Sequence, residues 1–187
     1  MLSRIPNQSM YVKAIVYDLP SENIKEIANT RLKKKVRSVR VSATYKLHGL
    51  GVQCTESVIL VSPERVNAID EAIAYVRSRY ESLSREIRLQ LTPIIEVLDL
   101  TQSQFDRLVP IAHRRLMRLL DEAIDRVSEA ITRLRVETDE RRVQRIIRNL
   151  RRMYRDWERV YRLARSLGID ISRDYEYLVS LLEGATQ

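Results

Sequence analysis

Apolar and polar positions change their period along this 187-residue chain, and each change marks an element. Met10 to Asp18 is rich in β-forming residues (Tyr11, Val12, Ile15, Val16, Tyr17) and predicts a strand. Pro20 and Ser21 follow. Ser21 as an N-cap, with Ile24, Ile27, Ala28 and Leu32 at helical spacing, predicts a helix ending near Lys35. Val39, Val41, Ala43, Tyr45 and Leu47 then alternate with Ser38, Arg40, Ser42, Thr44 and Lys46, a period of two that predicts a second strand. His48-Gly49-Leu50-Gly51 reads as a hairpin turn and Val52 to Val61 as the returning strand. Ser62-Pro63-Glu64 opens a helix with Val66, Ile69, Ile73, Val76 and Tyr80 on its apolar face.

The order through Leu83 is therefore β-α-β-β-α, a two-layer α+β unit. The remainder reads as helical. Ser103 is placed to cap a helix with Asp106 three residues on, and Pro110 either kinks that helix or opens a new one. Leu116, Leu120, Ala123, Val127, Ala130 and Leu134 form a heptad seam, and Val136 to Glu140 reads as a short connection. Gly168 closes the next helix, and a last one runs from about Ser172 to Leu182. The expected architecture is an α+β domain over residues 1–92 and a helical bundle or antiparallel helical hairpin over 93–187. The boundary is expected between Leu91 and Thr101, with the hairpin formed by helices 111–136 and 140–167. The seams also predict self-association or docking to another subunit.

The helix from residue 140 carries two opposed stripes. Arg141, Arg145, Arg148, Arg152, Arg155, Arg159 and Arg162 share one face at steps of four and three. Val143, Ile147, Leu150, Tyr154, Trp157, Tyr161 and Ala164 follow the same rhythm two residues later, which sets the stripes about 160° apart. One side is built to pack on the protein and the other to present guanidinium groups over about 32 Å, close to one turn of a B-form duplex. Glu137/Arg141, Arg152/Asp156 and Glu158/Arg162 have the spacing of ion pairs, whereas Arg145, Arg148 and Arg151 have no acid three or four positions away. Asp121, Glu122, Asp125 and Glu129 on the neighbouring helix are placed to compensate across the hairpin.

Charge makes this pattern more telling. The chain has a formal net charge of +8, which favours a polyanionic partner. Its positive charge is concentrated in the arginine helix and in Arg31 to Lys46, which holds Lys33, Lys34, Lys35, Arg37, Arg40 and Lys46 and no acid. In the strand reading, Arg40 and Lys46 share a face with Ser42 and Thr44, a surface suited to phosphate. All lysines lie at or before Lys46 and every later basic residue is arginine, a usage that leans toward a thermophile. Hydrophobic residues at 44% and charged residues at 31% describe a globular chain.

Little points to catalysis. Cys54 is the single cysteine, so neither an intrachain disulfide nor a thiolate metal cluster is expected. His48 and His113 are the only histidines, and a Cys54–His48 nucleophile lacks an orienting third group. Asp121 and Asp125, one turn apart, are the acids best placed for a nuclease metal, but that spacing also serves simply to balance arginines. Gly49-Leu50-Gly51 lacks the other features of a nucleotide loop. Tyr154, Trp157 and Tyr161 fall on the apolar stripe and read as core, so base stacking is not expected from them. No cofactor, metal, secretory leader or membrane span is expected, and the location inferred is the cytoplasm.

These readings converge on a non-enzymatic, sequence-tolerant binder of DNA or RNA. Its phosphate contacts are expected from Arg141, Arg145, Arg148, Arg151, Arg152, Arg155, Arg159 and Arg162, with Lys33, Lys34, Lys35, Arg37, Arg40 and Lys46 as a second cluster. The alternative is an assembly or scaffold subunit whose basic helix meets an acidic protein surface.

Overall fold

The computed structural model describes residues 12–21 and 29–186. The elements are β1 (Val12–Asp18), α1 (Thr30–His48), β2 (Gly51–Thr55), β3 (Val58–Val61), α2 (Ile69–Ile87), β4 (Ile94–Leu100), α3 (Gln102–Val136), α4 (Glu140–Ser166) and α5 (Ser172–Thr186). The strands form one antiparallel sheet in the order β2-β3-β1-β4. This is the split β-α-β-β-α-β arrangement of ferredoxin-like domains, a topology that fixes no function.

The β-α-β-β-α order expected from the sequence is present, but the chain reaches it through different residues. The expected strand 39–47 is the second half of α1. Val36, Val39, Ala43 and Leu47 are buried at steps of three and four, and Leu32 packs beside them. The alternating window contains both periods. The helical one is satisfied because its buried set extends back through residues 32 and 36, where the alternation does not. Asn29 caps the helix by accepting from the Arg31 amide at 2.7 Å. The first turns of the helix expected after Ser21, with Ile24, Ile27 and Ala28, fall on residues 22–28, outside those described.

Residues 48–51 are likewise not the hairpin turn. Gly49 and Leu50 finish α1 through Gly49 N–H to Tyr45 O and Leu50 N–H to Leu47 O. The hairpin turns instead at Glu56-Ser57, inside the segment expected to be one strand. Gly51 is required for a different reason. A Cβ there would lie 1.8 Å from the Leu60 carbonyl oxygen, so only glycine permits the close approach of β2 to β3.

The segment between Leu91 and Thr101, where the sequence suggests a domain boundary, carries β4, which pairs with β1 from Val12↔Leu100 to Asp18↔Ile94. Thr101 follows directly and caps α3 in a reciprocal box with Gln104, replacing the Ser103 cap expected from sequence. The helix then runs through Pro110 without interruption for 35 residues, about 52 Å. Asp139 caps α4 after a three-residue connection, 137–139. A Schellman motif closes α4: Gly168 at φ 71° donates to Arg165 O, and Ile169 donates to Ala164 O.

Three apolar clusters organise these elements. Ile15, Tyr17, Ile59 and Val61 pack one sheet face under α1 and α2. Ala14, Val52, Cys54 and Leu60 pack the other face under the first turns of α3 and the end of α4. Beyond the sheet, Leu120, Ala123 and Val127 of α3 meet Leu150 of α4 and Leu178 and Leu182 of α5. The heptad seam is thus occupied within the chain, largely by α5. Each fully buried leucine there contributes about 1.5–3 kcal/mol by leaving water. This packing holds α4 with its arginine face outward.

Candidate nucleic-acid interface

The apolar face of α4 is the expected stripe from Leu150 onward, joined by Ile146, Met153 and Val160, whereas Val143 and Ile147 belong to none of the packed clusters. Leu150 and Ala164 are buried, and Tyr154, Trp157 and Tyr161 are partly buried against the apolar clusters. On the other side, Arg141, Arg145, Arg148, Arg151 and Arg155 are exposed. Among the described residues, none of these five has a carboxylate in ion-pair contact.

Arg142, Arg152, Arg159 and Arg162 are engaged. Arg152 lies 3.8 Å from Asp156, and Arg162 lies 3.7 Å from Glu158. Glu137 turns to Arg142 (3.7 Å) rather than to Arg141, and Asp139 reaches Arg142 as well at 3.8 Å. Compensation across the hairpin does not occur among the described residues: Glu122 and Glu129 pair with Arg126 and Arg133 of their own helix. Exposed pairs of this length each contribute well under about 1 kcal/mol and are easily exchanged for another anion.

Arg159 differs from the rest of its face. Its side chain is 28% exposed, and its guanidinium carbon lies 4.5 Å from the centre of the Tyr45 ring. Asp156 is 3.8 Å away, and the Tyr45 hydroxyl donates to the same carboxylate at 3.3 Å. The outer face of α1 and the lower half of α4 therefore meet at Tyr45. The groove beside it is lined by Lys34, Arg37, Val41, Lys46 and Tyr75 together with Arg152 of α4. Thus the structure brings part of the 31–46 cluster and part of the arginine face to one surface.

The other members of the cluster spread around α1. Lys33 is exposed, Lys35 pairs with Glu86, and Lys46 pairs with Glu71 at 2.7 Å with its ammonium 5.8 Å from the Tyr75 ring. Because the segment is helical, Arg40 and Lys46 do not share a sheet face with Ser42 and Thr44. Ser42 bonds back to the Val39 carbonyl, and Arg40 lines a second cavity with Arg37 and His48.

That second cavity contains a polar chain. Arg115 of α3 donates to Gln53 Oε1 at 3.2 Å, the Gln53 amide reaches the Tyr17 hydroxyl at 3.4 Å, and that hydroxyl lies 2.9 Å from His48 Nε2. Burial, reinforced by the Arg115 and Arg159 charges, pushes the His48 pKa down to about 4. The ring is neutral at physiological pH. Burial raises the Cys54 thiol to about 11, so it is protonated as well, within the apolar cluster under α3 and α4. Among the described residues, no three His, Cys, Asp or Glu side chains gather as metal ligands.

Sequence reasoning missed Tyr45 and Tyr75 as surface residues. The available signal was the stripe Lys34, Arg37, Val41, Tyr45, which becomes one exposed basic and apolar face once the segment is read with a helical period. No helix among the described residues is long and apolar enough to cross a membrane. No family model, curated protein or solved structure matches this chain.

Proposed function

We propose that the chain is a sequence-tolerant nucleic-acid-binding protein that acts in the cytoplasm by binding rather than by turnover. The observation that carries this reading is the set of exposed arginines, Arg141, Arg145, Arg148, Arg151 and Arg155, with no carboxylate in ion-pair contact among the described residues. Aligned on a packed helix, they offer a row of planar donors matched to phosphate oxygens. Lys34, Arg37, Lys46 and Arg152 continue the positive surface around Tyr45. Phosphate contacts position a strand without reading its sequence, so affinity comes from counterion release.

The test is fluorescence anisotropy of labelled DNA and RNA with Arg145, Arg148 and Arg152 all changed to Glu. Binding should be lost at moderate salt while the circular dichroism spectrum is kept. Retained binding would remove the reading.

A scaffold role has its own supporting observation. β4 ends the sheet, and Ile94, Val97 and Leu98 on it are exposed, with Ile111 of α3 exposed as well. An apolar strand edge of this kind suits a protein partner. If the charge-reversed protein still binds nucleic acid, or the native one never does, this role becomes the leading reading.

A further inference from the structure

We propose that the Tyr45 groove receives unpaired nucleobases, so that the nucleic acid this chain prefers is single-stranded. The inference rests on the nucleic-acid reading and narrows it to a strand type.

Exposed valine and tyrosine side chains are gathered with lysines and arginines in a single groove rather than scattered over the surface. On α1, Val41 is 62% exposed and Tyr45 is 49% exposed, and both lie on the face that carries Lys34 and Arg37. Tyr75 of α2 stands across the same groove, 38% exposed, with the Lys46 ammonium near its ring. Two aromatic rings and a branched aliphatic side chain thus open into a groove of about 740 Å³ whose other walls are cationic. This is the combination that single strands use: cations follow the backbone, and ring faces take the bases.

Tyr45 is held ready for that role. The Arg159 guanidinium lies against its ring, and its hydroxyl is tied to Asp156. Arg159 Nε is buried and bonds to nothing among the described residues, so the guanidinium is placed by the ring rather than by a hydrogen bond at that atom. A base on the exposed part of Tyr45 would extend an arginine–tyrosine stack, with little rotamer freedom left to lose. A paired duplex keeps its bases stacked on each other and cannot supply this contact. The Arg141–Arg151 segment would hold phosphates of either form.

The experiment uses the full chain with fluorescein-labelled oligo-dT and oligo-U of twenty nucleotides and a DNA duplex of the same length. The wild type should bind the single strands more tightly than the duplex. Tyr45→Ala and Tyr75→Ala should each weaken single-strand binding by about tenfold, leaving the salt slope and duplex binding unchanged. Tyr45→Phe, which keeps the ring and loses the hydroxyl, should restore most of the affinity. As an independent readout, 5-iodouracil oligonucleotides should photocrosslink to peptides containing Tyr45 or Tyr75. Equal losses on both ligands, no loss on either, or crosslinks confined to α4 would overturn the stacking proposal while leaving the phosphate reading in place. Failure of the wild type to bind any of the ligands at low salt would overturn both.

Discussion

The two halves of the arginine face on α4 contain the same residue type at the same spacing and do different work. From Arg141 to Arg151 the side chains project from the helical hairpin, and among the described residues only Arg142, held by Glu137 and Asp139, has an acid in contact. From Arg152 to Arg162 the helix runs beside β2, where Tyr45 of α1 reaches it, and Asp156, Glu158 and the Tyr45 ring engage three of its four arginines on that face. Periodicity alone cannot separate them, because it fixes direction and leaves the neighbours open. The comparison shows that an arginine row can be part structural and part available for a ligand, and that the acids in the row mark where one use gives way to the other.

The sharpest way to break this comparison is to remove three arginines from the free half. Changing Arg145, Arg148 and Arg151 to Ala deletes three charge-assisted contacts worth about 1.5 kcal/mol each. Binding to a labelled oligonucleotide should fall by roughly a thousandfold, with the thermal midpoint unchanged. A large drop in that midpoint would show that these residues are structural too.

The next effect concerns His48, which feels Arg159 from the engaged half. Above pH 6.5 the ring is neutral in the folded and unfolded chain, so it adds no pH dependence. Between pH 6.5 and its lowered folded value of about 4, the unfolded ring gains a proton and the folded ring does not. Stability should therefore fall with falling pH across this window, by up to about 3 kcal/mol. In urea titrations His48→Gln should flatten that segment of the pH profile, and an unchanged profile would mean that the ring is already charged in the fold.

Arg159→Ala should cost about 1 kcal/mol of stability through the lost ring contact and buried stem. It should also make the His48 window narrower by removing one of the cations that lower its pKa. Smallest of all, Arg148→Ala should change folding stability by less than about 0.5 kcal/mol. Similar costs for Arg148 and Arg159 in chemical denaturation would erase the distinction between the halves.

The contrast in α4 also explains what was legible in the sequence. Its charged and apolar stripes persist over six turns, so the helix and the general direction of its two faces follow from spacing, while Ile146, Met153 and Val160 on the packed side and the half-covered Arg159 do not. In α1 the informative window is shorter. Val39, Val41, Ala43, Tyr45 and Leu47 satisfy an alternating pattern, and the deciding residues, Leu32 and Val36, lie before it. Reading the window as a strand assigned Val41 and Tyr45 to the alternating apolar face and hid the surface where the two basic regions meet.

β4 was hidden for a related reason. At the end of the sheet, Ile94, Val97 and Leu98 are exposed, so burial does not impose a clean alternation and the segment resembles a boundary. Gly51 shows a third kind of ambiguity: a glycine suggests a turn, while here it permits two strands to approach. The helical hairpin was readable because Gly168 and the α3 seam act locally, whereas the cap at Thr101 depended on where the unrecognised strand ended.

The most direct test of the central claim is the salt dependence of wild-type binding to a labelled oligonucleotide. If the five exposed arginines Arg141, Arg145, Arg148, Arg151 and Arg155 each engage a phosphate, log K against log salt should fall with a slope of about −3.5 on a single strand or about −4.5 on a duplex. No binding at 50 mM salt, or an affinity that does not change with salt, would contradict the account.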